Sequence, residues 1–504
     1  MNDLTTTLGD VTVLVEDINE AIWGYVLIAV LILCGLWFTW KTKGVQFRMV
    51  GEMLRLLADS AIPINSSTRQ HVNSPTRQHV NSPTAHKHIS SFQAFAVSVA
   101  TRVGTGNLAG VATAIAIGGP GAIFWMWIIA LIGSATAFVE STLGQLFKRR
   151  GSHRIDNPKP RHEDSFIGGP AYYIEKGLHQ KWLAYLFAVL ITITFGLSYN
   201  SIQSNTICGA MHEAFGWNPT VVGSALTVLA LVIVFGGIHR IANVSAMLVP
   251  LMAIGYFILA LVIVLMNIEL IPHVLKVIVT SAFGLEQGVG GTIGATIMNG
   301  VKRGLFSNEA GEGSAPNVAA TATVSHPVKQ GLIQALGVFT DTLLVCSCTA
   351  FLIIISGIYS NPELNGIALT QAALNSEIGH FGPTFIAIAI LLFAFSSIIG
   401  NYYYGEANIR FITSNQTVLT VYRLFSGGVM VMFGALASLE IVWSLGDLFM
   451  ALLTACNLVA IVRLGKYAFR LLDDYRQQKR RGIKEPTFHR SQLPEIEKDL
   501  ICWD

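Results

Sequence analysis

The chain has 504 residues, of which 52% are hydrophobic and only 12% charged, and its net charge is +3. Its mean hydropathy is positive. This composition excludes an ordinary soluble globular domain, and nothing in it points to nucleic acid. What remains is a polytopic membrane protein. A span needs about 20 mostly apolar residues to cross ~30 Å of hydrocarbon at ~1.5 Å per residue. Eleven windows qualify, at 21–40, 91–117, 119–147, 183–211, 217–237, 243–267, 289–320, 330–357, 383–410, 419–439 and 442–465.

The placement of basic residues orients the spans. The first 40 residues hold no Lys or Arg, whereas 41–90 hold seven, 148–182 hold eight and 466–504 hold nine. The positive-inside rule therefore predicts residues 1–20 outside and 466–504 as a charged cytoplasmic tail, which requires an odd number of spans. Two segments assigned to the outside, 212–216 and 358–382, contain no Lys or Arg. Ala21 to Trp40 is full length and follows no basic n-region, so it reads as a retained span rather than a signal peptide.

Six cysteines, at 34, 208, 346, 348, 456 and 502, show no metal spacing and read as packing residues or idle thiols. "MHEAFG" has His212 and Glu213 but lacks the second histidine of a zinc-protease motif. Residues 68–83 read "TRQHVNSP" twice in tandem, in a polar loop between spans 1 and 2. Such a duplication suits a loop that tolerates length, since closure entropy grows slowly with loop size.

Two windows are broken. "TRVGTGNLAG" (101–110) puts Gly104 and Gly106 on either side of Thr105, with Asn107 following. Unwound backbone is tolerated at membrane depth only where it lines a cavity or binds something. The freed carbonyls suit a cation, and the positive end of the next half-helix, from Leu108, suits a carboxylate. The other reading of these glycines is close helix packing through small residues. In "FSNEAGEGSAPNVAATA" (306–322), Gly311-Glu312-Gly313-Ser314 can be laid on Gly104-Thr105-Gly106-Asn107. The breaks fall in spans 2 and 7, so the repeat unit is five spans and its second copy is inverted. Paired broken helices in an inverted repeat point to a transporter's central site. The predicted fold is all-α, with spans 2–6 (91–267) and 7–11 (289–465) as the repeats and span 1 (21–40) as an extra N-terminal helix.

"SFQAFAVSVATRVGTGNLAGVATAIAIGGPGAIFWMW", "RGLFSNEAGEGSAPN", "QGLIQALGVFTDTLLVC" and "LLFAFSSIIGNYYYGEANIRF", in that order, resemble the alanine or glycine:cation symporter family, the sodium:alanine symporters of bacteria and archaea. The resemblance spans about residues 20–465. It implies the inverted five-plus-five fold of the bacterial leucine transporter, a place in the bacterial inner membrane, sodium or sometimes proton as coupling ion, and alanine or glycine as substrate. The "TRQHVNSP" copies are not part of the family pattern. Asn401 stands where many members have Trp, which bears on the pocket wall beside it and on the choice of amino acid.

A zwitterion at mid-membrane needs both its charges satisfied, because an unpaired buried charge costs several kcal/mol. The substrate residues expected are Thr105, Gly106 and Asn107 for the carboxylate, and Phe306 with Ser307, Asn308 and Ala310 for the opposite face. Gln203 in "SYNSIQSN" looks like the family's substrate-facing glutamine; the alternative is a glutamine bonded between helices. For sodium, analogy with the shared fold suggests the carbonyls of Ala100 and Val103 facing Ser396 and Ser397. Adjacent serines bonded to their own helix are the plain alternative. Glu309, Glu312 and Asp341 are intramembrane carboxylates and hence candidate coupling or structural charges. Glu309 and Glu312 have three options: holding N–H groups of the break, pairing with Arg102, Lys302 or Arg303, or carrying a proton. Glu140 and Glu406, nearer the cytoplasmic ends, read as snorkelling or paired. No nucleophile with a base, metal set, cofactor motif or obligate protein partner is expected, so the reading is a symporter and not an enzyme.

Overall fold

The computed structural model describes residues 13–61, 89–151, 166–235, 254–284 and 293–504. The tandem "TRQHVNSP" segment, residues 1–12, part of the 148–182 loop and the first half of the 243–267 window lie outside the described residues. Helices occupy the described parts of the apolar windows. They are α1 (Ile28–Lys41), the pair α3 (Ser91–Arg102) and α4 (Gly106–Gly118), and α5 (Ala122–Leu146), after a short α2 (Val50–Ala61). Then come α6 (Pro170–Gly177), α7 (Lys181–Phe215), α8 (Pro219–Val234), α9 (Ile254–Met266) and α10 (Ile271–Ala282). The second half has the pair α11 (Ile293–Asn308) and α12 (Ala315–Ala319), then α13 (Val328–Ser356), α14 (Gly366–Ile378), α15 (Phe381–Ile412), α16 (Gln416–Leu436) and α17 (Leu439–Arg480). Six of these helices are long and apolar enough to cross a membrane by themselves, and α9 and the helix after it pass together across a 79° bend.

Four of these helices, α2, α6, α10 and α14, lie in segments that hydropathy alone treats as loops. α10 buries Val274, Val277, Ile278 and Ala282, a stripe at helical spacing, and so lies flat against the protein. α2 does the same with Met53 and Leu56 while Glu52 accepts the Tyr475 hydroxyl at 2.6 Å. α14 starts where the Asn365 side chain caps Gly366 N–H at 2.6 Å. An amphipathic helix such as α2 or α10 fails a test for uniformly apolar windows because polar residues line its other face.

Large exposed hydrophobics lie along α1 (Leu33, Leu36), α8 (Val221, Val228, Val232) and α9 (Ile254, Ile258, Leu265), as expected where lipid is the solvent. Between helices, lipid supplies little hydrophobic drive, so association depends on close contact. α5 is the clearest case, packed on α11 and α13. A Cβ on Gly300 of α11 would lie 2.4 Å from the Ala122 carbonyl, and one on Gly331 of α13 would lie 2.1 Å from Thr142 Oγ1. α7 packs on α15 and α16 in the same way, with Gly434 of α16 leaving no room for a Cβ beside the Ser201 carbonyl.

α17 does not end at the apolar boundary near 465 but runs on to Arg480, 42 residues in all. The residues after it are docked. Phe488 N–H bonds the Ser325 carbonyl at 2.9 Å, and Trp503 Nε1 donates to the Leu146 carbonyl at 3.0 Å. The Lys148 ammonium sits over the rings of Phe166 (4.1 Å) and Trp503 (4.4 Å). Trp503→Ala is expected to weaken this docking by about 3 kcal/mol. Trypsin cleavage after Lys484 and Arg490 in the purified protein should then accelerate by a hundredfold or so; an unchanged rate would mean the ring does not hold the tail.

Candidate functional site at the broken helices

α3 starts with a reciprocal cap, Gln93 N–H to Ser90 Oγ at 3.1 Å and Ser90 N–H to Gln93 Oε1 at 3.0 Å. It ends at Val103, whose ψ of 93° turns its carbonyl out of the helical direction. Helical geometry resumes only at Thr105 and Gly106. Two side chains hold the gap: Asn107 Oδ1 accepts Gly104 N–H at 2.9 Å and Gln203 Oε1 accepts Thr105 N–H at 3.0 Å. The freed carbonyls of Asn107 and Leu108 accept the hydroxyls of Thr349 (2.6 Å) and Thr370 (3.1 Å). Gly104 is required by close approach, since a Cβ there would lie 2.4 Å from Ser397 Oγ and 3.0 Å from Gln203 Oε1. Gly106 faces the other break, with Ser307 Cα 3.0 Å and Phe306 Cδ1 3.1 Å from where its Cβ would be.

The second break runs from Glu309 to Ser314. Glu309 (φ 56°), Gly311 (φ 100°) and Gly313 (φ 81°) all take the left-handed region, so helix cannot continue, and a non-glycine residue there is strained. Glu140 on α5 and Asn457 on α17 hold this stretch. Gly311 N–H donates to Glu140 Oε1 at 3.2 Å, while Asn457 Nδ2 donates to Glu140 Oε2 (2.8 Å) and to the Gly311 carbonyl (2.9 Å). Glu140 therefore neither snorkels nor pairs with a cation; it is fully buried because its acceptors are needed by unwound backbone. Glu309 receives hydroxyls from both breaks, Thr101 at 3.4 Å and Ser314 at 2.5 Å. Glu312 receives the Tyr199 hydroxyl at 3.2 Å.

Asp341 is the hub between the breaks. Its carboxylate accepts Asn107 Nδ2 (2.7 Å), Ser307 Oγ (2.6 Å) and Thr342 Oγ1 (3.0 Å). Asn107 Nδ2 and Ser307 Oγ also lie 3.3 and 3.1 Å from Cys346 Sγ, so this thiol is not idle.

The sequence-based expectations fall out as follows. Ala100, Ser396 and Ser397 come together: Ser397 Oγ donates to the Ala100 carbonyl at 2.9 Å, and Ser396 Oγ lies 3.4 Å from it. Both serines also bond the Phe393 carbonyl of their own helix, at 2.8 and 3.1 Å. Val103 is the first residue off α3, three residues after Ala100. Thr105, Gly106, Asn107, Gln203, Phe306 and Ser307 surround the α3–α4 gap, and Thr105 Oγ1 is buried with no partner among the described residues. Phe306 is framed by Tyr199 and Trp443, ring centroids 4.7 and 4.8 Å away. Asn308 turns elsewhere: its amide donates to Thr342 Oγ1 at 3.2 Å and accepts Ala310 N–H at 3.0 Å. Ala310 sets its methyl among Ala130, Ala137 and Val338 rather than against Gln203 or Thr105.

The basic residues pair differently from the expectation. Arg303 Nη2 meets Asp447 Oδ2 at 2.6 Å, with Lys302 at 3.8 Å from the same oxygen, and the Arg303 guanidinium lies over the Trp443 ring at 4.2 Å. Arg102 is fully buried; its Nη1 donates to the Gln334 carbonyl at 3.3 Å, while Nε and Nη2 have no partner among the described residues. Glu406 is paired as expected, with Arg410 (2.6 Å) and Arg423 (2.9 Å). Asp447, Thr349, Thr370 and Asn457 carry no local sequence signal, because each acts on a residue more than 100 positions away.

A polytopic helical protein with two interrupted helices facing one another across a buried polar centre is a membrane transporter in class. The chain belongs to the sodium:alanine symporter family, whose pattern it matches over residues 9–490. It is 48% identical to the probable sodium/glutamine symporter GlnT of Bacillus subtilis (strain 168), over 96% of this chain and 94% of that one. It is 34% identical to the sodium/alanine symporter AgcS of Methanococcus maripaludis, over 90% and 95%. In fold it is similar to the crystal structure of MhsT in complex with L-phenylalanine, with a TM-score of 0.51 at 13% identity over 77% of this chain and 99% of that one.

Asp341→Asn keeps the side-chain shape but replaces one of the two oxygens, which together accept three donors, by an NH2 donor. It is expected to cost about 1–3 kcal/mol and to lower the melting temperature in detergent. An unchanged melting temperature would contradict the hub.

Proposed function

We propose that this chain is a secondary active symporter that takes up a small neutral amino acid, alanine or glycine among them, coupled to inward sodium flow by alternating access. The observation that carries the reading is the pairing of a neutral-oxygen cluster with an unwound helix. The Ala100 carbonyl and the Ser396 and Ser397 hydroxyls meet within 3.4 Å in the last turn of α3, three residues before the extended Val103. Sodium prefers several such oxygens. On binding it would replace the Ser397-to-Ala100 hydrogen bond and fix the position of Gly104, which touches Ser397.

The amino acid would then bind on the other side of the gap. Its carboxylate would meet the positive N-terminal end of α4 and the free Thr105 hydroxyl. Its ammonium would meet the C-terminal carbonyls of α11 near Phe306 and Ser307, with the Phe306 ring bounding the side chain. Gln203 orients the Thr105 end of the gap through its bond to that N–H. Four buried carboxyl groups, Glu140, Glu309, Glu312 and Asp341, lie around the breaks.

The proposed architecture is two inverted repeats, 91–267 and 289–465, with the helix at 21–40 added, the N-terminus outside and the residues from 466 cytoplasmic. The basic residues at 41–90, 148–182 and 466–504 support this orientation. In that frame the Arg303–Asp447 pair and the Phe306–Trp443 contact lie on the outer side of the gap and would close it. Spans 2, 3, 7 and 8 would rock as one bundle, a motion suited to the close contacts of α5 with α11 and α13. One positive charge crossing 100 mV contributes about 2.3 kcal/mol to uptake.

A proton-coupled version has one specific support: Glu309 receives hydroxyls from both breaks and so is placed to link a proton to the same movement. Uptake of labelled alanine and glycine into proteoliposomes under sodium, proton or no gradient separates the two. Sodium alone is expected to drive accumulation. Ser397→Ala should raise the sodium concentration needed by roughly 5- to 150-fold, the equivalent of about 1–3 kcal/mol for one lost oxygen. Accumulation driven by protons and indifferent to sodium would refute the sodium reading.

A further inference from the structure

The residues after α17 form a strap that reaches other helices. Gly482, in the left-handed region at φ 80°, reverses the chain, and Ile483 N–H closes the turn on the Gln478 carbonyl at 3.1 Å. The strap first bonds back along its own helix. Thr487 and Gln478 exchange two hydrogen bonds, at 2.7 and 3.0 Å, while Arg470 donates to the Gln492 carbonyl at 3.1 Å and pairs with Glu495. Leu493, Ile496 and Leu500 of the strap are buried. In the proposed orientation this is the cytoplasmic face.

Its other contacts fall on the helices assigned above to the rocking bundle. In the loop from α12 to α13, Ser325 Oγ donates to the Pro486 carbonyl at 2.8 Å and the Ser325 carbonyl accepts Phe488 N–H at 2.9 Å. Lys329, at the start of α13, pairs with Glu485. Thr323 N–H of the same loop bonds the Ile89 carbonyl at 3.2 Å, just before α3, so the loop is tied to both broken spans. Leu146, the last residue of α5, accepts Trp503 Nε1 at 3.0 Å. His326 of the loop is fully buried. Its Nδ1 accepts Val328 N–H at 3.2 Å, which puts the ring proton on Nε2, 3.1 Å from Asp474 Oδ2 of α17. The imidazole meets the rings of Tyr475 on α17 and Phe488 on the strap, at centroid distances of 5.1 and 5.9 Å. A bundle residue is thus held in a socket made by α17 and the strap.

We propose that residues 483–504 are a latch that holds the bundle against α17, and that His326 must leave its socket before the transporter opens to the cytoplasm. This rests on the symporter reading above. A tail packed on α17 alone would ride along without affecting the motion. This one crosses the boundary between the moving and the standing part, so any rocking that parts α5 and α13 from α17 at this face breaks its bonds to Leu146, Ser325 and His326. Sodium would tie the same two parts together, since Ala100 is on α3 and Ser396 and Ser397 are on α15. Two ties that favour one arrangement strengthen each other, so latch and ion are linked although they share no residue.

The test uses the full-length protein in proteoliposomes, with sodium-driven alanine uptake as the readout. Ser325→Cys with Pro486→Cys, in a chain whose half-buried Cys34 and Cys502 are replaced by serine, sets two thiols across the latch. They are joined before reconstitution by a short reducible cross-linker. Joining is expected to slow uptake at least about tenfold, and a membrane-permeant reductant to restore it in the same vesicles. Phe488→Ala removes the ring that faces His326 and is expected to raise the sodium concentration for half-maximal uptake about fivefold or more. That concentration does not depend on how much protein is folded, and a tail that merely stabilised the fold would leave it unmoved. Should the cysteine pair fail to join, Phe488→Ala decides by itself. Uptake unchanged by a completed cross-link, or an unmoved sodium requirement in Phe488→Ala, overturns the latch and leaves the symporter reading intact. No sodium-driven uptake by the unaltered protein overturns both.

Discussion

The constraint on which the rest depends is that backbone unwound inside a membrane must find its hydrogen bonds within the protein. Each break meets it with side chains from distant helices. At the first, Asn107, Gln203, Thr349 and Thr370 take up the freed N–H and C=O groups. At the second, Glu140 and Asn457 do so. The glycines permit the breaks; these polar residues maintain them. Close helix contacts without Cβ atoms, as at Gly300, Gly331 and Gly434, bring the polar residues within reach.

The two breaks are not independent. Asn107 of the first and Ser307, just before the second, share the Asp341 carboxylate, and Thr101 and Ser314 share Glu309. A shift of α4 relative to α11 must therefore rearrange Asp341 and its donors together. This is the physical form that coupling takes in the account: an ion that fixes the α3 end against α15 also fixes Gly104, and through Asn107 reaches the hub. Beside the gap lies an aromatic layer, Tyr199, Phe306 and Trp443, closed by Arg303 on Asp447.

The apolar windows were legible because a span is a long uniform signal, and the breaks were legible because glycine pairs interrupt it. Ala100 with Ser396 and Ser397, and Gln203 beside Thr105, were reached through the family resemblance rather than from spacing. What sequence reading missed has a common cause. Glu140 looked like an end-of-helix carboxylate and Cys346 like an idle thiol, because their partners, Gly311 and Asn107, lie 171 and 239 residues away. Lys302 and Arg303 stand next to the carboxylates of their own break in sequence, yet both turn to Asp447 on another helix. α2 and α10 escaped because amphipathic helices lying on a protein surface have no uniformly apolar stretch, and α14 because it is only 13 residues long and carries Thr370, Gln371, Asn375, Ser376 and Glu377.

The central claim is that ion and amino acid meet at one unwound helix and bind as a linked pair. The direct measurement is calorimetric binding of alanine to the detergent-purified protein across a sodium series, together with sodium binding across an alanine series. Linkage requires each ligand to tighten the other by the same factor, and the account predicts a factor of ten or more in both directions. Alanine binding of constant affinity from zero to saturating sodium would contradict it.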